Sequence, residues 1–356
     1  MKNFLKFFLL LFAVAGISFG ASLGFTKWSD QRLSNDLQGS VLQRFNGTQE
    51  YQPAEKGSIK LTTEEASFPH VNSNQQEVRY YHSRTGQVKS VSLGTKQNVS
   101  LVATLKPRAS DLTWSPDGTE VIASYGSELI YTNLADGTFA KLDPNITRPV
   151  FGKSSNSVAY LYFNKKTEEG NISVADSKFT TFKNLLKTRL SGWEIQWTNE
   201  RKLSLLAITP AMRLTSLYLM DVTQEGLEVL IDSKSDVEIN WSPNGQKLLY
   251  SRKAQNGIEL FVLDLPTRAE KRLNIISVAS KCGWAPDSAT LYCAVPEKGS
   301  EDSIIKISVT GTQEKLFAPA DIGYVNAHDI TYLTAENSLL FKNFKDGRLY
   351  MLSLAK

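Results

Sequence analysis

The sequence is short of the residues that most active-site chemistry depends on. It holds two cysteines, Cys282 and Cys293, and three histidines, His70, His82 and His328. Two cysteines cannot scaffold a disulfide-rich mini-domain, and neither has a further Cys or His pair at zinc-ligand spacing. Catalytic triads, metal triads and His-dependent lyases need histidines converging on one point. With three spread along the chain, isolated surface or loop roles are the expectation; only His70 and His328, which fall in the first and last of the repeats described below, could meet. Blocks of basic charge are also missing. The 40 Lys and Arg against 36 Asp and Glu leave a scattered net charge of +4, which gives no ground for nucleic-acid binding. Neither a metal nor a cofactor is expected.

What the chain has is a repeated hairpin. Trp114-Ser115-Pro116-Asp117-Gly118 precedes the apolar run Val121-Ile122-Ala123, Trp241-Ser242-Pro243-Asn244-Gly245 precedes Leu248-Leu249-Tyr250, and Trp284-Ala285-Pro286-Asp287-Ser288 precedes Leu291-Tyr292-Cys293. A strand ending in a large aromatic, a Pro-Asp-Gly turn and a second strand spell a hairpin. Equivalent positions follow at Val71, Trp114, Phe151, Trp197, Trp241, Trp284 and Tyr332, spaced by 43, 37, 46, 44, 43 and 48 residues. From Ser58 onward the pattern is short β-rich runs with no convincing amphipathic helix. A period of about 40 to 45 residues with four strands per unit is the signature of a propeller blade. The 299 residues from Ser58 to Lys356 divide into seven units of about 43; six and eight are the neighbouring solutions. The last unit has only three strands, while Ser58-Ile59-Lys60-Leu61-Thr62 stands alone before the first. We read it as the outer strand of the final blade, closing the ring by pairing the chain's two ends. The fold expected is therefore all-β, a seven-bladed β-propeller over residues 58–356.

Ahead of it lies a different kind of sequence. After Met1-Lys2-Asn3-Phe4-Leu5-Lys6, residues 7–25 carry no charge, close to the roughly 20 residues that span a bilayer. Residues 1–28 are either a secretory signal or a signal-anchor; the length favours an uncleaved anchor, although Ser18, Gly20, Ala21 and Ser22 would also suit cleavage. Lys2 and Lys6 place the N-terminus in the cytoplasm, so both alternatives export the rest. Residues 29–57 are polar and read as a tether. Export would let a disulfide persist. Cys282 and Cys293 are equidistant from the Asp287-Ser288 turn, so they face each other at about 4.5 to 5.5 Å between Cα atoms. That distance admits a cross-strand disulfide or two small buried apolar side chains. Several Asn-x-Ser/Thr sequons, including those at Asn46, Asn98, Asn145 and Asn171, read as chance matches behind a bacterial-type leader.

Three residues before each aligned aromatic stand Phe68, Asp111, Arg148, Glu194, Glu238, Lys281 and Asp329. In a propeller this is where the chain enters the innermost strand. Asp111, Arg148, Glu194, Glu238, Lys281 and Asp329 would thus ring one mouth of the central channel, able to bind a basic peptide segment or hold a cation; simple tolerance of charge at a wet strand entry is the plainer alternative.

The W-S-P-D-G hairpins, with the L-Y-L-M-D and L-F-V-L-D strands of Leu217–Asp221 and Leu260–Asp264, resemble the TolB-like propeller repeat, found also in propellers of the dipeptidyl-peptidase and prolyl-oligopeptidase group. The resemblance spans residues 58–356 and implies the fold. It transfers no activity: TolB has an α/β domain before its propeller, for which 29 tether residues leave no room, and the peptidases carry a hydrolase domain with G-x-S-x-G, which is absent here. The expectation is an exported, membrane-tethered, monomeric and non-catalytic platform for a protein or peptide partner at the cell envelope. The alternative is a propeller hydrolase or lyase acting on envelope glycan or peptide, with ring acids as general acid and base.

Overall fold

The computed structural model describes residues 58–96, 99–154, 157–209, 214–224, 226–255, 257–297, 301–317 and 325–354. The anchor and tether assigned to residues 1–57 lie outside them. Among the described residues no helix is long and apolar enough to cross a membrane.

Among the described residues, twenty-eight strands form seven four-stranded antiparallel sheets. Strand β1 (Ser58–Lys60) comes first. Blade 1 is β2 (Ser67–Val71), β3 (Glu77–His82), β4 (Gln87–Ser92) and β5 (Val99–Thr104); blade 2 is β6 (Asp111–Trp114), β7 (Glu120–Tyr125), β8 (Glu128–Asn133) and β9 (Phe139–Lys141). Blade 3 is β10 (Ile146–Phe151), β11 (Ser157–Asn164), β12 (Glu169–Asp176) and β13 (Phe182–Thr188); blade 4 is β14 (Trp193–Trp197), β15 (Lys202–Thr209), β16 (Leu214–Asp221) and β17 (Glu228–Ser235). Blade 5 is β18 (Glu238–Trp241), β19 (Lys247–Ala254), β20 (Gly257–Asp264) and β21 (Glu270–Leu273); blade 6 is β22 (Cys282–Trp284), β23 (Thr290–Pro296), β24 (Asp302–Ser308) and β25 (Gln313–Phe317). Blade 7 is β26 (Ala327–Leu333), β27 (Ser338–Asn343) and β28 (Arg348–Ser353), with β1 as its fourth strand, Ile59 opposite Met351. Seven blades thus fall where the spacing of the aligned positions puts them.

The core is divided among the gaps between blades. Seven apolar clusters occur, one at each junction of neighbouring blades, including one that joins Tyr80 and Val91 of blade 1 to Leu340 and Met351 of blade 7. Middle strands are therefore covered on both faces and read as apolar runs, as in Leu203-Ser204-Leu205-Leu206 of β15, where all four residues are buried, instead of alternating.

The repeated hairpin is built by its own side chains. Asp117 Oδ1 accepts from Ser115 Oγ (2.7 Å) and from the Thr119 amide (3.0 Å), Ser115 Oγ in turn accepts from the Glu120 amide (2.9 Å), and Gly118 takes φ +74°, where a Cβ is disfavoured. Ser242 and Asn244 repeat these bonds in blade 5. The tryptophans sit between blades: the indole N–H of Trp114 donates to the Phe68 carbonyl (2.9 Å), that of Trp197 to Val150 (3.2 Å) and that of Trp284 to Asn240 (3.2 Å), each on the inner strand of the preceding blade. Cys282 and Cys293 are opposite in register and joined as a disulfide, with Cα atoms 4.1 Å apart.

Candidate functional site

The inner strands β2, β18, β22 and β26 enclose a cavity of about 310 Å³, lined on one side by Pro69 and Val71, on another by Ile239 and Asn240, and on a third by Asp329, Ile330 and Thr331, with Ser280 and Cys282 between. Its lining mixes apolar side chains with the polar ones of Asn240, Ser280, Asp329 and Thr331. Asn240 Nδ2 donates to the Cys282 carbonyl at 2.6 Å, stitching blade 5 to blade 6 at the cavity's edge.

Of the seven strand-entry residues, four form one electrostatic group. Asp111, Glu194 and Glu238 come from blades 2, 4 and 5, and Arg148 of blade 3 stands between the first two. Burial pushes the Asp111 carboxyl up from its ordinary value, opposed by the Leu112 amide and the Arg148 charge. Burial likewise raises Glu194, with Arg148 opposing and the Glu238 charge adding to the rise. Asp111 is reached by solvent yet crowded by protein. A side chain in a constriction has that double character, so its desolvation is partial and its interactions are only partly screened. Glu238 also accepts from Ser280 Oγ (2.7 Å) and from the Ser280 amide (3.3 Å), reaching into blade 6.

The other three positions behave differently. Lys281 is a correction to the expected ring. It belongs to a 3-10 turn at Ala279–Lys281, which swings its side chain into the protein, where its Nζ donates to both carboxylate oxygens of Asp302 (3.1 and 2.8 Å) with 5% and 2% of the two side chains exposed. Asp302 also accepts from the Ala327 amide (2.8 Å), so this pair links blades 6 and 7 and faces no channel. Phe68 packs near Tyr81, with ring centroids 6.3 Å apart. Asp329 is exposed and lines the cavity, and its charge opposes the lowering that burial imposes on Lys342.

Sequence pattern gave no sign of how three of these positions are held. Phe68, Arg148 and Asp329 have φ of 52°, 53° and 54°, each at a break in register, between Ser67 and His70, Thr147 and Val150, and His328 and Thr331. A bulge of this kind turns a side chain away from the direction that strict alternation would give it. Non-glycine residues in the left-handed region are uncommon, and no local residue type marks these three beforehand; only their shared offset from the aligned aromatic does.

The histidines do not converge. His70 stacks on Trp114 (centroids 5.6 Å, 14° between planes) with Nε2 3.2 Å from the Pro116 carbonyl; burial lowers its pKa. His328 stacks on Phe344 at 3.9 Å, and His82 bonds Thr85. Among the described residues no group of three or more His, Cys, Asp or Glu is placed to hold a metal ion.

Fold and site together define the class: a seven-bladed β-propeller of four-stranded blades with an acidic, arginine-centred strand-entry group, consistent with the TolB-like resemblance of its hairpins. Among solved structures it is similar to an oligogalacturonate lyase in complex with manganese (12% identity, TM-score 0.65, covering 86% of this chain and 96% of that one). An oligogalacturonate lyase from Vibrio parahaemolyticus (10%, 0.61, 84% and 94%) and the β-propeller domain of the trilobed protease from Pyrococcus furiosus (12%, 0.56, 81% and 92%) are also similar. At such identities the likeness is one of fold. No protein-family model and no curated protein matches the chain.

Proposed function

We propose that this protein is an exported, membrane-tethered propeller that binds a cationic segment of a protein or peptide partner at the cell envelope, without catalysis. The observation that supports this reading is the grouping of strand-entry charges in which Arg148 acts on both Asp111 and Glu194 while Glu238 adds a second acid beside Glu194. Two partly desolvated carboxyls that resist ionisation gain most when a lysine or arginine arrives, because the incoming charge relieves the penalty of burial. The apolar residues of the cavity lining, such as Val71, Ile239 and Ile330, offer room for the stem of such a side chain. In the same reading residues 1–28 anchor the chain, 29–57 tether it, 58–356 form the propeller, and the pairing of β1 with β28 serves as ring closure. The test is affinity capture from intact envelopes with the full chain, repeated with Asp111→Asn, Glu194→Gln and Glu238→Gln. Partner recovery should fall several-fold in the variants; undiminished recovery overturns the proposal.

One observation favours a second reading, a hydrolase or lyase acting on envelope glycan or peptide. Carboxyls with raised pKa, as at Asp111 and Glu194, suit a general acid. Turnover of envelope polysaccharide or peptide that vanishes in Asp111→Asn or Glu194→Gln would establish it.

A further inference from the structure

We propose that one side of the propeller's rim rests on an anionic membrane surface. The inference rests on the tethered reading above and adds a contact surface to it. It begins from register. Following the pairings outward from the aligned inner position, Val71 leads through Val78 and Val91 to Val99 in blade 1. Trp114 leads through Val121 and Thr132 to Phe139 in blade 2, and Phe151 through Val158 and Ala175 to Phe182 in blade 3. In blade 4 Leu227 directly precedes Glu228, the first residue of β17. The same path ends at Gln313 in blade 6 and at Ser58 in blade 7, and β21 of blade 5 begins at Glu270.

Register-equivalent residues of a propeller lie at one level around the ring. Four consecutive blades therefore carry an apolar side chain at the same end of the outer strand, and the other three carry polar ones. These side chains are not tucked away: Phe139 is 76% exposed, Phe182 67%, Val99 48% and Leu227 37%. Scattered exposed apolar residues need no explanation, but a one-sided arc including two phenylalanines held in water does.

Charge points to what covers it. Strands β5, β9 and β13, in three of the four blades of the arc, hold the lysines Lys141, Lys183 and Lys187 and no acid, while β17 in the fourth carries Glu228 and Asp232 with Lys234. Lys141 and Lys187 pair with Glu128 (2.9 Å) and Glu169 (3.9 Å) in exposed settings, which hold an ammonium weakly. Phenylalanine beside lysine is the composition of a surface that enters the headgroup layer of anionic lipid. Placement agrees. Blades 7 and 1 share an apolar cluster, so Ser58, where the chain enters the propeller, is next round the ring to Val99, at the end of the arc. The uncharged run 7–25 precedes it by 32 residues, a span of at most roughly 110 Å when extended. Lipid held by that run is thus presented to the arc at high effective concentration.

The test uses the full chain with vesicles of phosphatidylglycerol and phosphatidylcholine that contain nitroxide-labelled lipid. An environment-sensitive fluorophore is attached in turn through Phe139→Cys, Phe182→Cys and Gln313→Cys, leaving the Cys282–Cys293 disulfide intact. Quenching should be several-fold greater at 139 and 182 than at 313, and should weaken in pure phosphatidylcholine and in Lys183→Glu with Lys187→Glu. Equal quenching at the three sites, or none, overturns the proposal, as does a doubled mass in analytical ultracentrifugation that buries position 139 against a second copy. Sedimentation with vesicles reports the anchor separately. A chain that sediments without quenching loses the rim contact but keeps the tether, whereas one that neither sediments nor quenches loses both.

Discussion

At the scale of single residues, the carboxyls of Asp111 and Glu194 set a conflict between stability and binding. Burial raises both above their ordinary values, so the folded state prefers them protonated. The stability they contribute is complete below the usual carboxylate range and is lost as pH rises through their folded values. Asp111→Asn and Glu194→Gln should therefore raise the melting temperature at pH 7, and the gain should disappear below about pH 3.5; thermal melts at the two pH values check it. Lys281 poses the opposite case. Lys281→Met leaves Asp302 charged and buried without its partner, at a cost of roughly 3–5 kcal/mol in urea denaturation. Adding Asp302→Leu should restore only part of this, because the Ala327 amide then loses its acceptor. The sequence marked Asp111, Glu194 and Lys281 alike as charged strand entries and could not separate the lysine from the acids. What parts them is a 3-10 turn of three residues, too short to leave a periodic signal.

At the scale of elements, legibility followed the turns. Trp-x-Pro with Asp or Asn specifies a hairpin by local chemistry, so the inner strands ending at Trp114, Trp241 and Trp284 were placed by their turns and the other four by spacing from them, and equidistance from the Asp287-Ser288 turn put Cys282 opposite Cys293. Bulges were invisible, since a break between Thr147 and Val150 depends on tertiary fit and not on any residue preference. Close approach was hidden as well: a Cβ on Gly283 would stand 2.1 Å from the Ile330 carbonyl oxygen, so the backbones of blades 6 and 7 come together there with no room for a side chain on Gly283. Strand β1 is the element most open to test. The Leu61 amide donates to the Leu349 carbonyl (2.9 Å) and the Leu349 amide to Thr62 Oγ1 (3.1 Å), extending the pairing of Ser58–Lys60. A chain shortened to begin at Thr63 should lose amide hydrogen-exchange protection selectively in β28 and melt at a lower temperature. Unchanged protection in β28 would show that the strand adds nothing.

At the scale of the whole molecule, seven interblade clusters share the work of a core. Each blade depends on both neighbours, and that frees the two open ends of the barrel-like ring and its rim for recognition. Composition told little of this division: a hydrophobic content of 41% says that apolar residues suffice, and only register separates the apolar side chains spent between blades from those left on the rim. The sheet shared by β1 and β28 also sets a clock. The first strand of the propeller to be synthesised waits for the last, so the growing chain carries an unpaired strand and its future partner's vacancy through the whole of its synthesis. A ribosome that stalls late, or a protease that trims early, would leave an adhesive edge on an otherwise finished ring.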